Sequence, residues 1–223
     1  MAGTDGTMRL QAKPGYISVV GSYFDDLAFE CQGSVPPIFL ENRLKRDGDH
    51  HHVTLINPVE LGQVMEDLGY EKKKKERMKN ARLLLKDIET HFPTNDGWEL
   101  PTDLGMGRIV DKQNGACTMY RVLCWPLGQE IRHHYGLKPC HFHITVGFNP
   151  TDIHQYKGPA TLDILCGRAT PKRHQLKQLS SVTSYYSHDY RFLGALFRQC
   201  LWKGCFDLAF INGWRYLIAV IFG

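Results

Sequence analysis

Two short stretches of this chain carry the same reactive pattern. His52-Val-Thr54 and His143-Ile-Thr145 each hold a histidine and a threonine two residues apart, with an apolar residue between them and another directly after. On a β-strand, side chains two apart project from one face, so each stretch offers an imidazole and a hydroxyl about 6.5–7 Å apart at the Cα level. Val53 and Leu55, like Ile144 and Val146, point the other way and suit a core. With 11 His and 12 Thr in 223 residues, chance gives about 0.6 His-x-Thr triplets, and about 0.1 once the apolar neighbours are required. Two occur. Such a pair suits transfer at a phosphodiester. A histidine near its ordinary pKa of about 6.5 serves as base or acid at neutral pH. Of two that flank a phosphorus, one deprotonates the attacking water while the other protonates the leaving oxygen. The threonine hydroxyls donate to the non-bridging oxygens, where charge builds up in the transition state. His52 and His143 are therefore the predicted catalytic pair, and Thr54 and Thr145 the predicted phosphate-binding residues. The scheme requires no metal and no cofactor.

The elements that position these residues follow from the surrounding pattern. β-branched residues predict a strand over 16–20, and a short helix is expected over 36–44. The strand over 50–56 stops at Asn57-Pro58. Apolar residues at 3.6-residue spacing predict helices through 61–68 and again through 78–92. Asn114-Gly115 marks a hairpin between strands at 107–110 and 116–125; Pro126 opens a helix to about 135, and a strand over 141–148 ends at Asn149-Pro150. Residues 16–56 and 117–148 thus share an order of strand, short helix and His-x-Thr strand, each leaving through Asn-Pro. This duplication predicts an internally pseudo-symmetric α+β domain.

At these residues the sequence resembles the 2H phosphoesterase superfamily, named for two His-x-Thr/Ser motifs, which includes bacterial and archaeal RNA 2′,3′-cyclic phosphodiesterases. It looks most like the subgroup called Swiss army knife RNA repair-like proteins. The resemblance spans roughly residues 14–165, and its specific part is His52-Val-Thr-Leu-Ile56 and His143-Ile-Thr-Val-Gly147. It implies a bilobal, pseudo-two-fold α+β domain with antiparallel sheets facing a central cleft, which His52, Thr54, His143 and Thr145 would line. It also implies metal-independent opening of a 2′,3′-cyclic phosphate or related phosphodiester on an RNA end or nucleotide, in the company of RNA repair enzymes. Tyr16, Tyr120, Arg121, Trp125 and Phe148 are candidates to stack a base or hold a phosphate, with a core or surface role at least as natural for each.

Two other readings use the same residues. The first is a zinc-dependent hydrolase drawing on His50, His51, His52, Cys140, His141 and His143. Consecutive strand residues face opposite ways, and no zinc signature spacing or supporting carboxylate accompanies them. The second is a non-catalytic module of the same fold that holds a nucleotide or RNA end. The sequence carries no nucleophile elbow, tyrosine-phosphatase loop, Walker A motif or dinucleotide glycine signature.

Composition bounds the rest. The chain is 43% hydrophobic and 22% charged with a net charge of +4, an ordinary globular profile that excludes a polybasic nucleic-acid coat. Residues 71–89 hold eight basic against four acidic side chains, equal to the whole surplus, as a solvated helix face or an RNA-facing patch. Seven cysteines without a Cys-x-x-Cys pair suit free thiols. With no apolar stretch behind a basic start, the expected location is intracellular, cytoplasmic or nuclear. The expected division is a phosphoesterase-like domain at 14–170, then a connector and hydrophobic tail at 171–223. One more strand is expected at 161–165 and a polar connector at 171–178. Residues 192–223 are apolar at 22 of 32 positions without a clear helical pattern, and their longest unbroken apolar run of seven is too short for a transmembrane span. They read as a packed helix pair, an interfacial anchor or a sequence foreign to the domain.

Overall fold

The computed structural model describes residues 8–70, 76–94 and 97–222. Its centre is a six-stranded antiparallel sheet in the order β1-β2-β3-β6-β5-β4, formed by Arg9–Lys13, Tyr16–Val20, His52–Ile56, Thr102–Val110, Cys117–Cys124 and Phe142–Asn149, numbered β1 to β6 along the chain. The order reads the same from either edge if the two three-strand halves are exchanged. The α+β class is as expected, but the two halves are not separate sheets facing each other across a cleft: they join edge to edge into one sheet where β3 pairs with β6. The duplication extends to a local irregularity. The register shifts between Ile17 and Ser18, with Ser18 opposite Thr54, and again between Met119 and Tyr120, with Tyr120 opposite Thr145.

One face of the sheet carries the main core. Ile17, Val19, Val53, Leu55, Leu123, Phe142 and Ile144 pack there against helices α1 (Ser22–Cys31), α3 (Pro58–Asp67), α4 (Arg77–His91) and α5 (Pro126–His134). Helix α2 (Pro37–Asp47) lies against β6. A Cβ on Gly147 would come within 2.8–3.0 Å of the Cβ, carbonyl carbon and carbonyl oxygen of Phe39, so this approach requires glycine. Asn57 caps α3 and shares a capping box with Glu60, so the Asn-Pro that stops β3 also starts a helix. The matching Asn149-Pro150 is a cis peptide leading into a loop.

The other face is covered over the β5-β4 end. Leu104, Tyr120, Val122 and Cys124 pack under α6 (Arg173–Ser181), α7 (Tyr190–Trp202) and the turn through Pro159–Thr161; α8 (Phe206–Phe222) pairs with α7. Several expectations change here. Residues 9–13, for which no element is expected above, form β1, whose Leu10 and Ala12 pack on the main core, although its alternating polar residues give little β signal. Residues 161–165 form no strand. Pro159 opens a single 3₁₀ turn there, and the stretch reaches the sheet through one isolated bridge from Leu162 to Gly107 and through side-chain bonds of Thr161 to Tyr120 and of Asp163 to Arg108. The expected polar connector is α6, whose Leu176, Leu179 and Ser180 form a narrow buried face. The apolar end is the helix pair. Its glycines are contact points: Gly194 receives the ring of Tyr216 and Gly213 that of Phe197, each too close for a Cβ. In α8 the buried residues are Ala209, Asn212 and Ala219, while Phe210, Trp214 and Phe222 are exposed, an inversion that hides helical periodicity. No helix among the described residues is long and apolar enough to cross a membrane. Helix α1 had no sequence counterpart above.

One buried cation ties the two halves together. Arg132 of α5, 2% exposed, donates from Nη1 to the carbonyl of Leu55 in β3 (2.7 Å) and to Glu60 Oε2 (2.9 Å). Its Nη2 donates to Glu60 Oε1 (2.6 Å) and to the Lys138 carbonyl (2.6 Å). A planar fork makes all of these bonds at once, which lysine cannot do. Replacing Arg132 with Ala is expected to cost about 3–5 kcal/mol, because Glu60 and two carbonyls lose a buried partner. Urea unfolding of R132A and R132K should show both destabilised, with lysine recovering only a minor part.

Candidate active site

β3 and β6 occupy the middle of the sheet, and their register pairs Val53 with Ile144. Carried one residue each way, this antiparallel register sets His52 across from Thr145 and Thr54 across from His143. The two histidines are then diagonal neighbours on one face, about 7–8 Å apart along the sheet. Val53 and Ile144, fully buried beneath, hold that orientation. All four predicted residues line one cavity of about 560 Å³, together with Tyr16, Arg46, Asp47, Asp152 and Lys157. No other described residue engages either threonine hydroxyl or the His52 ring in a hydrogen bond, which leaves these groups free for a ligand.

The two imidazoles differ in surroundings. His143 Nδ1 lies 3.0 Å from the His141 carbonyl, which fixes it as the N–H nitrogen and leaves Nε2 as a lone-pair acceptor. Burial, with the neighbouring Lys157 ammonium, pushes the His143 pKa down to about 4. Burial also lowers that of His52, where Asp47 opposes the shift and Arg46 and Lys13 reinforce it. Each ring sits beside a tyrosine, Tyr16 at 6.1 Å from His52 and Tyr120 at 5.8 Å from His143, centroid to centroid.

A chain of charges frames the cavity. Lys157, only 4% exposed, donates to Asp152 Oδ1 at 2.7 Å, and Arg46 Nη1 reaches Asp152 Oδ2 at 2.5 Å. Thr118 donates to Asp152 at 3.0 Å, and Arg46 is forked onto Asp47. These partners hold the Asp152 carboxyl down to about 2, while burial lowers the pKa of Lys157. Sequence reasoning missed Arg46, Asp47, Asp152 and Lys157. They come from the last turn of α2 and the loop after β6, and no spacing links them to the motifs. The one available hint was a basic residue ending the helix that feeds β3.

The remaining candidates are placed elsewhere. His50 and His51 both turn to Asp25, with each Nδ1 2.9 Å from a carboxylate oxygen. His141 lies between Tyr156 and Tyr186. Among the described residues no three His, Cys, Asp or Glu side chains converge as a metal-binding group. Arg121 binds Asp103 and the Leu27 carbonyl, Trp125 is buried in the main core, and Phe148 is buried under Arg46. Of the five stacking candidates, Tyr16 lines the cavity and Tyr120 backs it. The basic face of α4 belongs to a helix on the opposite side of the sheet; Lys72 to Lys75 lie outside the described residues.

The sequence that builds this site matches a known family. No curated protein and no solved structure matches the chain. The family model described as Swiss Army Knife, 2H phosphoesterase domain, matches residues 15–154, from the turn before β2 to just past Asp152. That span is more than half of the chain and contains both His-x-Thr strands, so the chain belongs to the Swiss Army Knife family of 2H phosphoesterases.

Proposed function

We propose that this protein is a metal-independent phosphodiesterase that opens a 2′,3′-cyclic phosphate, or a related phosphodiester, on an RNA end or nucleotide. The observation that carries this reading is the β3–β6 pairing, which turns both histidines and both threonines into one cavity. A phosphorus between the diagonal imidazoles has one on its attacking side and one on its leaving side. His143, neutral well below pH 7 and presenting Nε2, takes the proton from the attacking water. His52, beside Asp47, gives a proton to the departing ribose oxygen. Thr54 and Thr145 donate to the non-bridging oxygens, and the Lys157 ammonium offsets the charge that grows there. Asp152 and Arg46 hold that ammonium in place without entering the reaction.

The first test is turnover of 2′,3′-cyclic nucleotides and cyclic-phosphate RNA by purified protein with EDTA present. H52A and H143A should each lower kcat by about 10²- to 10⁴-fold, as expected for loss of a general acid or base. Retention of more than a tenth of the rate refutes the paired mechanism. Binding without turnover in the wild type would favour a non-catalytic module, and loss with EDTA restored by zinc would favour a zinc hydrolase.

The pH dependence supplies a second prediction. The base must be neutral, so kcat/KM should rise as pH climbs through the His143 value of about 4. The acid must be protonated, so it should fall again as pH passes the His52 value, which lies below the ordinary 6.5. The bell should therefore peak on the acid side of pH 6.5. K157M removes a charge that depresses His143 and should move the acidic limb to higher pH. An unmoved limb would separate Lys157 from the base.

A further inference from the structure

The duplicated sheet is symmetric in strand order but not in what covers it. Toward β5 and β4, the face that carries the motifs is closed by the Pro159–Thr161 turn and α6 to α8. Toward β2 and β1 the same face lines a second depression of about 280 Å³, which shares Tyr16, Arg46, Asp47 and His52 with the reaction cavity. Its floor follows from register. Arg9 pairs with Val20 and Val20 with His52, so Arg9 stands in the same row as the histidine, two strand spacings or about 10 Å away. Gln11, Ser18 and Thr54 form the next row, and Lys13 lies opposite Tyr16. Arg9 is exposed, Gln11 and Lys13 are half-buried, and neither cation has an ion-pair partner among the described residues. Asp47 and Asp49 also border the depression, but Asp47 is committed to Arg46. Two unpaired cations about 13 Å apart along β1, with Tyr16 opposite Lys13 and 6.1 Å from the His52 ring, match a charged chain with stackable bases.

We infer that the motif-bearing face of β1 and β2 is a subsite for the nucleotides preceding a terminal phosphate, with Arg9 and Lys13 on backbone phosphates and Tyr16 under a base. The substrate is then the 3′ end of an RNA chain rather than a free cyclic mononucleotide. This inference rests on the functional reading above. It explains why one flank of the cavity is open and basic while the other is sealed.

The test compares kcat/KM for a cyclic-phosphate RNA oligonucleotide with that for the cyclic mononucleotide. It also measures anisotropy of a labelled oligonucleotide ending in a plain 3′-phosphate. The oligonucleotide should be preferred by at least about tenfold at low salt. The double variant R9Q/K13Q should collapse that ratio toward one and make the slope of log affinity against log salt shallower by about 1.4, or 0.7 for each phosphate released. K79Q/R82Q, on the opposite side of the sheet, should leave both readouts unchanged. A wild-type ratio near one, or a ratio and slope untouched by R9Q/K13Q, overturns the subsite. If no cyclic phosphate is opened, the phosphodiesterase reading fails, and anisotropy alone then decides the subsite: a slope that depends on Arg9 and Lys13 upholds it, and its absence removes it.

Discussion

Everything at the cavity between the two motifs depends on one antiparallel pairing, that of β3 with β6. A two-fold relation between duplicated strands is natural at an antiparallel pair, because each strand sees the other in the same way. The pairing of Val53 with Ile144 puts each histidine opposite the other strand's threonine. A slip of one residue would turn an imidazole into the core and bring Val or Ile to the ligand face. The buried faces of both strands oppose such a slip, since Val53, Leu55, Ile144 and Val146 are all fully buried. Arg132 adds a polar lock from the side, joining the helix that leads into β6 to the carbonyl of Leu55. Precision at the cavity is thus set from the opposite, core-facing side of the sheet.

The same motif, placed twice, yields two unlike histidines. His143 lies under the sealed flank, with a buried ammonium beside it and its Nδ1 bound to a carbonyl. His52 lies toward the open flank, with a carboxylate nearby and no hydrogen bond to its ring. A reaction that needs one acid and one base gains from this inequality. In the proposed mechanism symmetry sets one histidine on each side of the phosphorus, and the asymmetric surroundings set their protonation states apart.

The motif strands were legible because their chemistry and their period coincide. Alternation fixed which side chains share a face, and turn residues such as Asn57-Pro58 and Asn114-Gly115 fixed where the strands end. The Arg46, Asp152 and Lys157 frame was not legible, because it assembles from segments about 105 residues apart without a local pattern. The terminal helices were obscured for a different reason. Periodicity arguments assume that large apolar residues turn inward, and α8 buries alanine and asparagine while exposing phenylalanine and tryptophan. β1 escaped notice because three of its five side chains are polar, and these are the residues that floor the open flank.

The interlock of α7 and α8 has a mechanical side. Each helix seats an aromatic ring in a gap where the other carries glycine, so the two cannot slide along each other without lifting a ring out of its seat. Helix α7 also rests on the Pro159–Thr161 turn, two residues beyond Lys157. The pair therefore works as an indexing pin. One turn separates that interlock from the buried ammonium beside His143, so the packing of the chain's last two helices borders the surroundings of a motif histidine.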